Sequence, residues 1–172
     1  MEEERPRSRT VASVVLGVEG RIASSVYGTV LVMATLAASS GEDAHPWSLA
    51  VLVATVVTAV WVAHLYAHSL SESIERGRRA TLADLKRIGH REVGILLAAA
   101  LPIAALLLGA VGLLRERNAI WIAFGVGLVV LFVQGVRYAR VEGLGPSGTA
   151  LAVAANLALG LLVVGLKVLI FH

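Results

Sequence analysis

Leu49 to Leu70 reads LAVLVATVVTAVWVAHLYAHSL, 22 residues without one Asp, Glu, Lys or Arg. An α-helix rising about 1.5 Å per residue crosses a hydrocarbon core of about 30 Å in roughly 20 residues. This stretch is therefore long enough to span a bilayer and too apolar to be stable in water. Four more stretches pass the same test: Ile22 to Ser39, Val93 to Leu114, Ala119 to Val136 and Gly148 to Phe171. The whole composition agrees with them, since 57% of the 172 residues are hydrophobic and only 16% charged. A mean hydropathy of +0.79 is more than a soluble domain of this size could bury. The expected fold class is all-α, a polytopic transmembrane helical bundle of about five spans, with no separate soluble domain.

The segments between the spans set the topology. Residues 1–21 read as a cytoplasmic N-terminal tail and interfacial stretch, because Glu2, Glu3 and Glu4 among Arg5, Arg7 and Arg9 are unlike a cleaved signal peptide. Thr10 to Gly20 is half apolar and can join the first span as one long helix. Residues 22–172 form the transmembrane domain. With the N-terminus inside, twelve of the fifteen Lys and Arg fall on the inner side, leaving Arg115, Arg117 and Lys167 outside. The positive-inside rule then predicts a cytoplasmic N-terminus and an extracytoplasmic His172. Heavy use of Ala, Val, Leu, Gly and Arg, with two Lys, fits a GC-rich bacterial genome and hence a bacterial inner membrane. Arginines beside apolar spans read as orientation and lipid-headgroup contacts, so no nucleic-acid partner is expected.

The basic cytoplasmic loop, residues 71–92, is the one long connection. Gly77 looks like a helix stop, and Thr81 three residues before Asp84 looks like a new N-cap. Leu82, Leu85 and Ile88 then share one side of a short helix, with Lys86, Arg87 and Arg91 on the other. Such a segment either lies along the headgroups or is a solvated linker. Pro102, deep in the third span, is expected to kink it.

Chemistry is concentrated on the second span. At 100° per residue, Trp61, His64, His68, Glu72 and Glu75 occupy one helical face. Histidines at i and i+4 with two carboxylates beyond them can hold a divalent metal ion. Imidazoles near their ordinary range can instead relay protons. The structural alternative has His64 bonded to a neighbouring helix and Glu72 and Glu75 paired with nearby arginines. Elsewhere, Ser24, Gly28 and Thr35 share a face of the first span, and Ala123, Gly127, Gln134 and Tyr138 one of the fourth. Both are small-residue patterns suited to helix packing. On the fifth span Asn156, expensive in hydrocarbon, should face protein. Lys167 should snorkel to the outer headgroups or pair with Glu42 or Asp43.

Several enzyme classes lack their residues. There is no cysteine, no Ser-His-Asp order, no H-E-x-x-H and no phosphate-cradling glycine loop. An enzyme is thus less expected than a non-catalytic protein, and rests on His64 and His68 alone.

Arg21 to Ala38 (RIASSVYGTVLVMATLAA), Trp61-Val-Ala-His64-Leu-Tyr66-Ala67 and Asn156 to Lys167 together resemble the small uncharacterised integral membrane proteins common in actinobacteria. That resemblance covers nearly the whole chain and implies membrane location with no known activity. A remoter similarity is to bacterial relatives of lysosomal potassium channels, with R-x-x-x-F-S-D on the first helix and W-x-x-H-H on the second. Arg21, Trp61 and His64 match. Ser25, Val26 and Tyr27 replace F-S-D, Leu65 replaces the second histidine, and one helix fewer is present. This similarity implies an oligomeric pore lined by Ser24, Gly28 and Thr35, with Trp61 and His64 packed behind.

Two functional classes lead from these readings. One is a small oligomeric channel or transporter, and the other a non-catalytic accessory or scaffold subunit. Both imply the lipid bilayer as solvent and either a homo-oligomer or a partner membrane subunit.

Overall fold

The computed structural model describes the backbone of residues 7–41, 44–79 and 81–170, and the side chains of 21–41, 44–79 and 81–169. Six helices follow one another: α1 (Arg7–Ser39), α2 (Pro46–Arg76), α3 (Leu82–Arg91), α4 (Val93–Ala110), α5 (Glu116–Val141) and α6 (Pro146–Ile170), with no strand among the described residues. Five are long and apolar enough to cross a membrane: Arg21–Ser39 of α1, α2, α4, α5 and Pro146–Leu169 of α6. The protein is an all-α, multi-pass membrane protein. The interfacial stretch and first span form one helix from Arg7. The remainder of the expected tail, and His172, lie outside the described residues.

Glycines set the neighbours, because small residues let helix backbones approach when lipid offers no hydrophobic drive to associate. A methyl group at Gly28 would fall 2.8 Å from the Ile95 Cα, and one at Gly94 3.0 Å from the Arg21 carbonyl, so α1 and α4 run parallel in close contact. Gly127 abuts Met33 in the same way, and Gly135 abuts Val153. Helix α5 therefore lies antiparallel to both α1 and α6. Between α1, α2, α4 and α5, the side chains of Val32, Met33, Leu36, Val53, Ile95, Leu106, Phe124 and Leu131 are almost wholly buried. Their cluster closes the middle of the bundle. Buried fractions of 44% for the spans of α1, α4 and α5, against 22% for α2 and 6% for α6, put α2 and α6 at the periphery.

Several boundaries differ from the sequence reading, among them α5, which runs from Glu116 to Val141 rather than from Ala119 to Val136. Helix α4 ends at Ala110 rather than Leu114. Helix α2 has 31 residues, roughly 46 Å at about 1.5 Å each, and outruns a core of about 30 Å. Its end is the expected Gly77, at φ 59° where a side chain would be strained. Thr81 caps α3 reciprocally with Asp84. The short helix then folds back against the end of α2: a methyl group at Gly89 would touch the Trp61 ring at 3.4 Å, and Arg87 reaches Glu72 at 2.7 Å. Helix α4 continues through the buried Pro102.

Candidate functional site

The stripe on α2 is present, but its members are divided among different partners. The His64 and His68 rings lie 6.3 Å apart, as an i, i+4 pair should. His64 Nδ1 is 3.2 Å from the Val60 carbonyl, and its ring packs 5.1 Å from that of Tyr27 on α1. His68 Nε2 lies 3.5 Å from a carboxylate oxygen of Glu92, whose side chain is only 10% exposed at the α3–α4 junction. Glu72 accepts from Arg87 at 2.7 Å and pairs with Arg76 at 3.3 Å. Glu75 accepts from the Ser71 hydroxyl at 3.3 Å. Among the described residues, no three His, Asp or Glu side chains converge as a metal site requires.

Asp84, expected only as part of a helix cap, is the hub of this corner. Its carboxylate accepts from the Thr81 hydroxyl at 2.7 Å, the Thr81 backbone N–H at 3.0 Å, Arg76 and Arg78 at 3.0 Å and Arg87 at 3.2 Å. The Thr81 bonds, then Arg78, hold this carboxyl well below the usual carboxylate range. The arginines at 76, 78 and 87 were visible in the sequence, but only the fold-back of α3 brings all three onto one acid.

The remaining candidates are mostly spent on packing. Ser24 Oγ donates 3.4 Å to the carbonyls of Arg21 and Arg91, Gly28 seats Ile95, and Thr35 donates back to Leu31 at 2.9 Å. Trp61 covers Gly89, and its indole N–H is buried without an acceptor among the described residues. Lys167 donates to the Ser40 carbonyl at 2.7 Å and contacts the Ser40 hydroxyl, with its ammonium 5.6 Å from the Phe124 ring centroid. It thus ties α6 to the end of α1. Glu42 and Asp43, its alternative partners to the outer headgroups, lie outside the described residues. Gln134, read in the sequence as packing, donates 2.7 Å to Ser25 inside the bundle and accepts from Arg137 at 3.4 Å.

A cleft of about 750 Å³ opens between α1 and α6 over the end of α5. Val30 and Leu159 line its apolar part, and Tyr27, Asn156, Tyr138 and Glu142 its polar part. Neither the Asn156 amide nor the Glu142 carboxylate has a hydrogen bond or ion pair among the described residues. Asn156, expected to face protein, abuts Gly135 of α5 and also lines this cleft. Sequence reasoning missed the cleft, because three separate helices form its walls.

Comparison with protein-family models, with curated proteins and with solved structures finds no match to this chain.

Proposed function

We propose that this protein is a non-catalytic accessory or scaffold subunit of a membrane complex, acting through its bilayer-facing surfaces rather than through a pore. The apolar plug carries this reading. Met33, Leu36, Leu106, Phe124 and Leu131 are at most 1% exposed, and they interrupt any polar path from Ser25 and Gln134 across the bundle. An ion stripped of water there would meet hydrocarbon and no compensating dipole.

A channel between copies is the rival reading. It would need a continuous polar stripe on a peripheral helix, whereas the outward faces of α2 and α6 are mostly apolar, with Val51, Val62, Leu151, Leu162 and Leu169 exposed around Thr55 and Thr58 of α2. The residues that the resemblance assigns to a pore, Ser24 and Gly28, face α4. Reconstitution in liposomes separates the two. No monovalent cation flux above protein-free vesicles is expected from folded protein. A flux that a bulky Gly28 variant reduces while the fold survives would return the channel reading to the front. The orientation with the N-terminus cytoplasmic belongs to the same proposal, resting on the twelve-to-three charge bias, and reporter fusions at the two ends test it.

A further inference from the structure

The cleft between α1 and α6 changes in chemistry along its length in the manner of a lipid. Its walls run from Val30 and Leu159, through Tyr27 and Asn156, to Tyr138 and Glu142 at the end of α5. At about 750 Å³ it is within the range of roughly 300–1,000 Å³ typical of small-molecule sites. It opens beside α6, the helix with least burial in the bundle, so a molecule can enter from the bilayer.

We propose that this cleft holds one phospholipid carrying both a phosphate and a primary ammonium, of the phosphatidylethanolamine type. An acyl chain lies against Val30 and Leu159, and the Asn156 amide donates to an ester or phosphate oxygen. The lipid's ammonium meets the Glu142 carboxylate. Arg21 and Arg140, exposed at the same end of the bundle, supply positive charge for the phosphate, as basic residues beside spans do for headgroups.

Charge complementarity selects this occupant over others. An apolar helix of a second copy would cover the half-buried Asn156 amide without offering it a partner, which is costly, and would bring no cation to the exposed Glu142 carboxylate. A phosphate headgroup with no cation would set two anions against each other at Glu142. A quaternary ammonium carries the charge but has no N–H to donate to the carboxylate. The inference does not depend on whether the protein conducts ions.

The test is native mass spectrometry of the full chain released from nanodiscs of mixed phosphatidylethanolamine, phosphatidylglycerol and phosphatidylcholine. The wild type is expected to retain one phospholipid, enriched several-fold in phosphatidylethanolamine over its share of the bilayer. Ala155→Trp, which fills the cleft, should abolish retention, while Ala158→Trp, an exposed α6 position outside the cleft lining, should not. Glu142→Gln should keep a bound lipid but lose its headgroup preference. Intact circular dichroism and particle size confirm folding in each case. Equal retention by the Ala155→Trp variant, or an unchanged preference in Glu142→Gln, overturns the proposal. So does a disulfide between copies through cysteines at Val26 and Ala155 that forms in place of the bound lipid.

Discussion

The α2–α3 corner and the α1–α6 cleft both gather polar side chains near one end of the bundle, and treat them in opposite ways. At the corner, Asp84 and Glu72 are covered by Thr81, Arg76, Arg78 and Arg87, so both acids are answered within the chain. In the cleft, Asn156 and Glu142 are left without hydrogen bonds or ion pairs among the described residues. The corner was the richer motif in the sequence, with two histidines and two glutamates on one face, yet its acids are bound up in structure. Polar groups that are fully partnered hold a fold together, and those left open in a cleft beside the bilayer mark where a ligand or partner can act.

The largest effect should come from breaking the packing that both regions share. Gly28→Leu forces a side chain into the Ile95 backbone, an overpacking expected to cost about 1–3 kcal/mol or more. Gly125, which has nothing within 4 Å of a methyl group, should accept leucine without loss. Unfolding midpoints in mixed micelles read the difference. Equal midpoints would mean that α1 and α4 do not meet at Gly28.

The contrast itself is tested by matched carboxylate variants. Asp84→Asn should lower hydrogen-exchange protection of the α3 amides several-fold, while Glu142→Gln leaves protection throughout the bundle unchanged. The reverse result would make the cleft structural and the corner dispensable. The pH dependence has a definite sign. The folded Asp84 value lies below the unfolded value of about 3.9, so its stabilisation is complete above that value. It is lost only as pH falls through the depressed folded value. The Asp84 carboxyl carbon should therefore keep its ionised chemical shift at pH 4, where an unperturbed aspartate is half protonated.

The smallest effect is expected at the histidines. With Glu72 on two arginines and Glu92 turned to His68 alone, no third ligand converges on the His64–His68 pair among the described residues, so zinc should bind weakly. Replacing both histidines by Gln should leave the metal content of purified protein unchanged. Stoichiometric zinc lost in the double variant would restore the histidine and carboxylate site.

The five spans were legible because each is a long apolar run with at most one charge, Lys167 in the fifth, and its only stable home is hydrocarbon. Gly77 and Thr81 were legible because a left-handed stop and a reciprocal cap are decided within a few residues. The facing of His64 and His68 followed from helical period alone. Their partners did not, since Tyr27 lies on α1 and Glu92 at the α3–α4 junction, and the fold-back of α3 depends on Gly89 accepting the Trp61 ring. Nor was the cleft legible. Asn156 signalled a costly polar group in the fifth span, but nothing local states that α1, α5 and α6 diverge around it.

The sealed bundle underlies the reading of this protein as a non-conducting subunit, and water-edited solid-state NMR in lipid bilayers tests it most directly. The methyl of Met33 and the methyls of Leu36 and Leu131 are expected to show no magnetisation from water, while Asp84 at the corner and Glu142 at the cleft mouth build up quickly. Water contact at Met33 and Leu131 comparable to that at Asp84 would contradict the account, because it would place a hydrated path through the centre of the bundle.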